Sequence, residues 1–495
     1  MTRTLDLLRR LTFWLSAACL LAAGTAPPNA YLKILSLEQV RALGNGVLAA
    51  ELGGKDERLA VRAALAIGRT KQGAGEAALA AHLRDPRAAV RAMSLYGVGL
   101  IASGRSASAV VAGLLDRSGA VRIAALDAVD RYEAAHRFSG DAERSALART
   151  LGLLATDRDP VVRARAAATL ESFSASGGVA TAAIDLAKAV ETDRATEVRR
   201  FAMWTIFRGY ATLVPHVFLV HELQDRDAVV RIETVRAFAR RKNAADVALV
   251  QTLLGDSSWR VQEQAAETIH VLQGDAMTEH WAAIPAFVHV PAPRADPLSS
   301  LPALPRILLA GKPGRPNASH AIFEPMIDPT SAQAMSGPAH GPHPRVRIVT
   351  TKGNIYVTLF PEWAPLTVEN FLDVADRGYY DHNRWFRIVP DFVVQTGDPT
   401  DNGNGDAGYS IGAEENPIVQ DSYVISMGMN YTNPPNAHAI RDSAGTQYYI
   451  TLSPQLHLDR DFTVFGAVTS GFDVLGRLIE SDRVVRIERV SDAVL

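Results

Sequence analysis

The chain has 495 residues, 47% hydrophobic and 21% charged, which is ordinary globular composition with room for two to four domains. Fifty-one Lys+Arg against 53 Asp+Glu give a formal charge of -2, so no global basic field draws the chain to nucleic acid. The single cysteine, Cys19, excludes an intramolecular disulfide.

The N-terminus departs from this average. Arg3, Arg9 and Arg10 precede "LTFWLSAACLLAAGTA", an apolar stretch that fits a signal-peptide core and is short for a membrane span. Residues 1–30 therefore read as a secretory signal, with an uncleaved membrane anchor as the alternative. Cys19 follows Leu15, Ser16, Ala17 and Ala18, an imperfect bacterial lipoprotein cleavage pattern; it fits equally well as a small apolar residue of the signal core.

Residues 34–275 carry one unit seven times: "DERLAVRAALAIG", "DPRAAVRAMSLYG", "DRSGAVRIAALDA", "DRDPVVRARAAAT", "DRATEVRRFAMWT", "DRDAVVRIETVRA" and "DSSWRVQEQAAET". Each contains D-x-x-x-x-V-[RQ]. An aspartate ahead of an alanine-rich helical pattern reads as a helix start, its carboxylate accepting from free backbone N–H groups, and the valine five positions on faces inward. A single such unit cannot bury its apolar face alone, so the pattern predicts an all-α solenoid of stacked helices. It resembles HEAT repeats, especially the short kind related to phycobilin lyases. The resemblance implies a hydrogen-bonded ladder of Asp and Arg between successive units and a surface for an unidentified protein partner. Gln262 replaces the arginine in the last unit, as suits a ladder with no next rung.

From 276 to 344 the periodicity stops and proline becomes frequent, as in "VPAPRADPLSSLPALPRILLAGKPGRP", which reads as an irregular linker. His340 and His343, without cysteine nearby, do not make a metal pair.

The domain expected over 345–495 opens with "VRIVTTKGNIYVTLF", which alternates about Lys352, Gly353 and Asn354 and predicts a hairpin. "APLTVENFLDVADRGYY" has helical periodicity, with Thr367 as N-cap and Gly378 as stop. Short β-rich runs follow, "WFRIV", "DFVVQT", "YVISMGM", "TQYYITL" and "FTVFGAV", then a second helix over "GFDVLGRLIE" and a last strand "RVVRIERV". Many short strands with two helices predict a closed antiparallel β-barrel. Within this pattern Arg387 is a charge among Trp385, Phe386, Ile388, Val389 and Phe392, and it requires a partner or a task.

"WFRIVPDFVVQTGDPT", "AGTQYYIT" and "LHLDRDFTVFGAV", in this order after the opening hairpin and helix, resemble the cyclophilin-type peptidyl-prolyl isomerases over ~346 to 490, the bacterial branch most. The resemblance implies that Arg387 and Gln395 are catalytic. It implies also that Phe392, Val393, Tyr449 and Leu458 line a proline pocket, that the backbone at Gly428 and Met429 binds extended peptide, and that His457 and Phe462 border the site. Val393 stands where the family usually has methionine, Phe386 where it has histidine. Animal and fungal members place tryptophan at His457 and histidine at Phe462.

The chemistry agrees. Rotation about X–Pro meets a barrier of ~18–20 kcal/mol because nitrogen donates its lone pair to the carbonyl. A cation that bonds the nitrogen as it becomes pyramidal stabilises the twisted state alone. A 10⁵-fold acceleration needs about 7 kcal/mol, and one charge-assisted bond supplies about 1.5–3, so an apolar socket for the ring and other donors must contribute the remainder. No metal, nucleotide or other cofactor is required. Gly403, Gly405 and Gly408 form a G-x-G-x-x-G without a βαβ context, which reads as a loop beside the site. The expected protein is an isomerase for proline-containing polypeptides, exported to the periplasm or cell envelope and assisting folding there as a chaperone does; the alternative is a non-catalytic proline-segment-binding scaffold whose solenoid is the working part.

Overall fold

The computed structural model describes residues 28–175, 179–274 and 343–490, apart from 390, 402, 404, 406–408 and 432–438. The signal or anchor expected over 1–30 lies almost wholly outside the described residues, as do the linker up to 342, His340 and Gly408. Among the described residues no helix is long and apolar enough to cross a membrane. The chain divides into two compact units, one of Leu43–Ala292 and one joining Met1–Ala42 to Pro293–Leu495. The turn after the helix Pro28–Gln39 bonds to Ala413 and Asp442 of the same unit.

In the helical unit the seven repeat motifs run into seven helices, Glu57–Thr70, Ala88–Ile101, Gly119–Ala134, Pro160–Thr169, Thr196–Thr205, Ala228–Arg241 and Trp259–Gln273, each packed on the next. Their motif valines, from Val61 to Val261, are all buried. Helices approach closely where side chains vanish: a Cβ on Gly68 would come within 2.5 Å of the Gly97 Cα.

The motif aspartates do not all cap their helices directly. Asp56 does, accepting from the N–H groups of Arg58 and Leu59. Asp85, Asp116, Asp157, Asp193, Asp225 and Asp256 instead accept from the N–H two residues on, closing a tight turn just ahead of the helix. The carboxylates of Asp116, Asp157, Asp193, Asp225 and Asp256 also meet the preceding unit's arginine. Arg91 forks Asp116 (2.9 and 2.9 Å), Arg122 forks Asp157 (2.7 and 2.9 Å), Arg163 forks Asp193 (2.7 and 2.9 Å), and Arg231 forks Asp256 (2.8 and 2.7 Å). Arg199 reaches Asp225 at 3.3 Å. Arg91, Arg122, Arg163 and Arg231 also donate through Nη1 to their own unit's aspartate carbonyl, as Arg122 does to Asp116 (2.8 Å), whereas Arg199 does not. Burial pushes the Asp116 and Asp193 carboxyls up, but their arginine and backbone bonds hold both below the usual value. Gln262 keeps only the bond to its own unit, Nε2 to the Asp256 carbonyl at 2.6 Å. At the other end the Asp85 carboxylate is taken by Arg87.

The C-terminal unit is an eight-stranded antiparallel sheet: β1 (Arg345–Thr350), β2 (Gly353–Leu359), β3 (Arg387–Val389), β4 (Val393–Thr396), β5 (Val424–Met427), β6 (Tyr448–Thr451), β7 (Val464–Ser470) and β8 (Val484–Val490), in the order β3-β4-β6-β5-β7-β2-β1-β8. It is a curled sheet with edges β3 and β8, joined by the isolated bridge Arg384↔Arg483 and neighbouring bonds such as Trp385 N–H to Asp482 O (3.0 Å). The ladder of a fully closed barrel does not continue between β3 and β8. Its concave side is filled by Ile348, Ile355, Phe371, Trp385, Val394, Tyr448, Ile450 and Phe465.

The helix Pro365–Asp376 closes one opening. Its start differs from expectation: Pro365 occupies the first turn, where its missing N–H costs nothing, and the N–H groups of Leu366 and Thr367 are met at 3.2 and 2.8 Å by buried Glu414, not by a Thr367 cap. Gly378 ends the helix in the left-handed conformation, as expected. The second helix is only Phe472–Leu475.

Glu362 is buried in this unit with His343 Nδ1 at 3.6 Å, and burial raises its pKa from 4.5 to about 8. Burial also lowers the His343 pKa, so both groups favour their neutral forms. An acid with a raised folded pKa holds more protons folded than unfolded between the two values, so stability falls as pH rises through that window and is flat on either side. Glu362→Gln is expected to remove this slope and to stabilise the unit by about 3 kcal/mol at pH 7. Unfolding of wild type and variant at pH 5 and pH 8 checks this; equal pH dependence in both proteins would show that Glu362 is ionised in the fold.

Candidate active site

Strand alternation sorts the residues of β3, β4 and β6 between two faces. Val394, Tyr448 and Ile450 point into the main core, whereas Val393 and Tyr449 belong to a separate apolar cluster with Leu458 and Phe462, flanked by Phe392, Met429 and Ala439. Register places Arg387 opposite Gln395, Gln395 opposite Tyr449, and Tyr449 opposite Ser426. The cation, the amide and the aromatic wall therefore stand in one row across four strands.

Arg387 is exposed on edge strand β3, donates from Nη1 to Gln395 Oε1 at 3.2 Å, and lies with Cζ 5.2 Å from the Phe392 ring centroid. Surrounding protein lowers its pKa from the ordinary arginine value, with Tyr431 and Tyr449 acting the other way. A guanidinium held by one amide and one ring face keeps other N–H donors for a ligand.

The pocket floor is Val393, Tyr449, Leu458 and Phe462, each at most 7% exposed. The Phe462 ring meets Tyr449 edge-on at 5.8 Å, and His457 stacks on Phe392 with centroids 5.9 Å apart. Gly428, just past β5, donates its N–H to the Gln447 carbonyl (2.8 Å); a Cβ there would come 3.2 Å from Gln447 Cβ and 3.3 Å from Gln395 Nε2. The ten residues expected at the site lie together, Val393, Tyr449, Leu458 and Phe462 as one cluster and the other six beside it.

Three residues were not foreseen. Gln447 Oε1 accepts from Gln395 Nε2 at 3.1 Å, and its own Nε2 donates to the carbonyls of Gly405 (2.8 Å) and Gly403 (3.3 Å). It links the glycine loop to the residue that holds Arg387. Its position two residues before Tyr449, on the same face, was the available signal. Tyr431 faces Phe462 at 6.2 Å and Ala439 packs on the cluster; the two pair as an isolated bridge. Nothing in their local sequence announces this.

Residues 345–493 match the family described as cyclophilin type peptidyl-prolyl cis-trans isomerase/CLD. The chain is 40% identical over 134 residues to peptidyl-prolyl cis-trans isomerase B of Bacillus subtilis, covering 26% of this chain and 87% of that protein. It is 36% identical over 154 residues to peptidyl-prolyl cis-trans isomerase CYP18-2 of Arabidopsis thaliana, covering 31% and 92%. A cyclophilin type isomerase of Cryptosporidium parvum, known from a crystal structure, is 26% identical, with 30% of this chain and 99% of that chain covered and a TM-score of 0.28. Through residues 345–493 the chain belongs to the cyclophilin type peptidyl-prolyl cis-trans isomerase family.

Proposed function

We propose that the protein catalyses cis-trans isomerisation of X–Pro bonds in polypeptide substrates, with Arg387 as the group that acts on the proline nitrogen. The row Arg387, Gln395 and Tyr449 beside an apolar floor is the observation that carries this reading. A proline ring seated on Val393, Leu458 and Phe462 would bring its nitrogen beneath the guanidinium. As the bond twists, the nitrogen lone pair leaves conjugation and becomes an acceptor, so the Arg387 bond strengthens only in the transition state. Gln395 fixes the guanidinium, and Gln447 fixes Gln395. No bond to the protein forms, and no proton need be transferred.

Isomerisation of a proline peptide by the full chain, followed by exchange NMR, tests the proposal. Absence of turnover with retained peptide binding would favour a proline-segment-binding module. Gln447→Met, which keeps side-chain length but not its bonds, is expected to lower kcat/KM about tenfold, the worth of one lost positioning hydrogen bond; an unchanged value would remove Gln447 from the machinery.

The helical repeats support a finer reading as a HEAT-like solenoid whose role is to recruit clients or an envelope partner. The bidentate Asp–Arg bonds between successive units support it. The basic and apolar N-terminal sequence supports export to a bacterial cell envelope, by cleavage or by retention at a membrane. Pull-down with the tagged full chain from fractionated cells tests both: recovery only from the cytoplasmic fraction would overturn the export reading.

A further inference from the structure

We infer that Arg41 is a positioning residue for the two arms that border the pocket, Met429–Tyr431 and Ala439–Ser443, and that the described residues 28–42 are a working part of the isomerase unit. The inference rests on the isomerase reading of the site. The helix Pro28–Gln39 ends in a turn in which Ala42 N–H bonds to Leu37 O (2.8 Å) and Arg41 N–H to Glu38 O (3.0 Å). That closure puts its pivot residue in the left-handed region, where glycine is favoured, yet the pivot is Arg41 with φ 53°.

The guanidinium crosses to a segment 401 positions away in sequence. Nη2 donates to Asp442 Oδ1 at 2.6 Å and to the Ala413 carbonyl at 2.8 Å, and the same Asp442 oxygen accepts the Ala413 N–H at 2.7 Å. The pair is largely shielded, with side chains 13% and 23% exposed, unlike the screened pairs of an open surface. Next to it Arg441 bonds to Glu415 at 2.9 and 3.3 Å. Burial works against the Arg441 charge, but Glu415, Asp442 and buried Glu38 raise its pKa overall, so the same helix end also supplies an acid to this arm.

From Asp442 the path to the pocket is short. Ser443 Oγ accepts the Asn430 N–H (2.9 Å), Ile440 N–H donates to the Asn430 carbonyl (2.7 Å), and Tyr431 bridges Ala439. Ala439 and Met429 pack on the Val393–Phe462 cluster. Arg41 therefore anchors, through Asp442, the arms that set the width of the pocket, while touching none of its floor. Losing it should loosen substrate binding more than turnover.

The test compares the full chain with Arg41→Ala, Arg41→Gly and Arg41→Lys, reading KM and kcat for proline peptides together with hydrogen exchange at the Ala413, Asn430 and Ile440 amides. Glycine relieves the backbone at the pivot while removing the guanidinium, so a defect in Arg41→Gly does not arise from a broken helix end. The alanine and glycine variants are expected to raise KM about three- to tenfold with kcat within about twofold, to speed exchange at the three amides about tenfold, and to be partly rescued by lysine. Wild-type KM and wild-type exchange in both would overturn the inference; faster exchange with unchanged KM would reduce Arg41 to a tether and overturn its positioning role. Should wild type show no turnover, the isomerase reading fails separately, and Kd for the peptide takes the place of KM: unchanged Kd and exchange would still sink the proposal.

Discussion

Arg387→Ala is expected to lower kcat/KM for X–Pro isomerisation by about 100-fold, the scale seen when one preorganised donor to a transition state is removed. The reason is geometric. Arg387 is exposed on an edge strand, so its loss opens no cavity and strands no buried partner except the Gln395 amide, which retains Gln447. Its contact with Phe392 is across a ring face, and truncation leaves that ring stacked on His457. Stability should therefore change by less than about 1 kcal/mol, the usual range for a surface position. Arg387→Lys is expected to recover little, because a point charge on a flexible stem cannot both bond Gln395 and present a planar donor to the substrate nitrogen. Exchange NMR on one proline peptide, with thermal unfolding as control, checks both halves. A rate within about threefold of wild type would remove Arg387 from the mechanism and leave the apolar floor as the whole of the site.

The second large effect belongs to the helical unit. Asp157→Ala should destabilise it by about 3–5 kcal/mol, the cost of removing one partner of a buried pair. The Asp157 side chain is 5% exposed and that of Arg122 16%, so the widowed guanidinium would keep the Asp116 carbonyl but lose its forked partner. The Asp159 N–H loses its acceptor in the same substitution, opening the turn ahead of the helix Pro160–Thr169. Replacing both partners, Asp157→Ala with Arg122→Met, should recover part of the loss, because no charge is then left buried. Denaturation followed by helical circular dichroism measures this. A loss under about 1 kcal/mol would mean that the ladder orders the stack without stabilising it.

The helical repeats were legible because each unit repeats the same local physics: an apolar face every turn, an Asp turn before it and an Arg after it. What the repeat could not reveal was how each aspartate divides its oxygens. From one unit alone it reads as a cap for its own helix. Only when the preceding unit is stacked beside it does the carboxylate become the acceptor of that unit's arginine fork, as at Arg122 and Asp157.

At the site the division falls differently. Arg387, Phe392, Val393 and Gln395 lie within nine residues, and period-two alternation alone puts Val393 and Gln395 on one face. With Tyr449, Leu458 and Phe462 they form motifs whose order carries a family resemblance, so most of the pocket could be named from the sequence. Gln447 lies within "AGTQYYIT", yet its role has no local signature, since it depends on reaching Gln395 across the sheet and the glycine loop beyond it. Glu414 capping a helix 47 and 48 residues earlier, and Arg41 holding Asp442 from the far end of the chain, left no local trace.

The sequence by itself determined the helical repeat, the β-rich unit and the residues that make an X–Pro site chemically reasonable, because these follow from side-chain periodicity and composition over short windows. Tertiary structure decided that the sheet curls to two bridged edges, that the arms Met429–Tyr431 and Ala439–Ser443 border the site, and that the residues just after the apolar N-terminus lie in the same unit as the sheet. Those outcomes depend on which distant polar groups meet when the core closes, and a hydrogen bond between positions 401 apart has no period to be read.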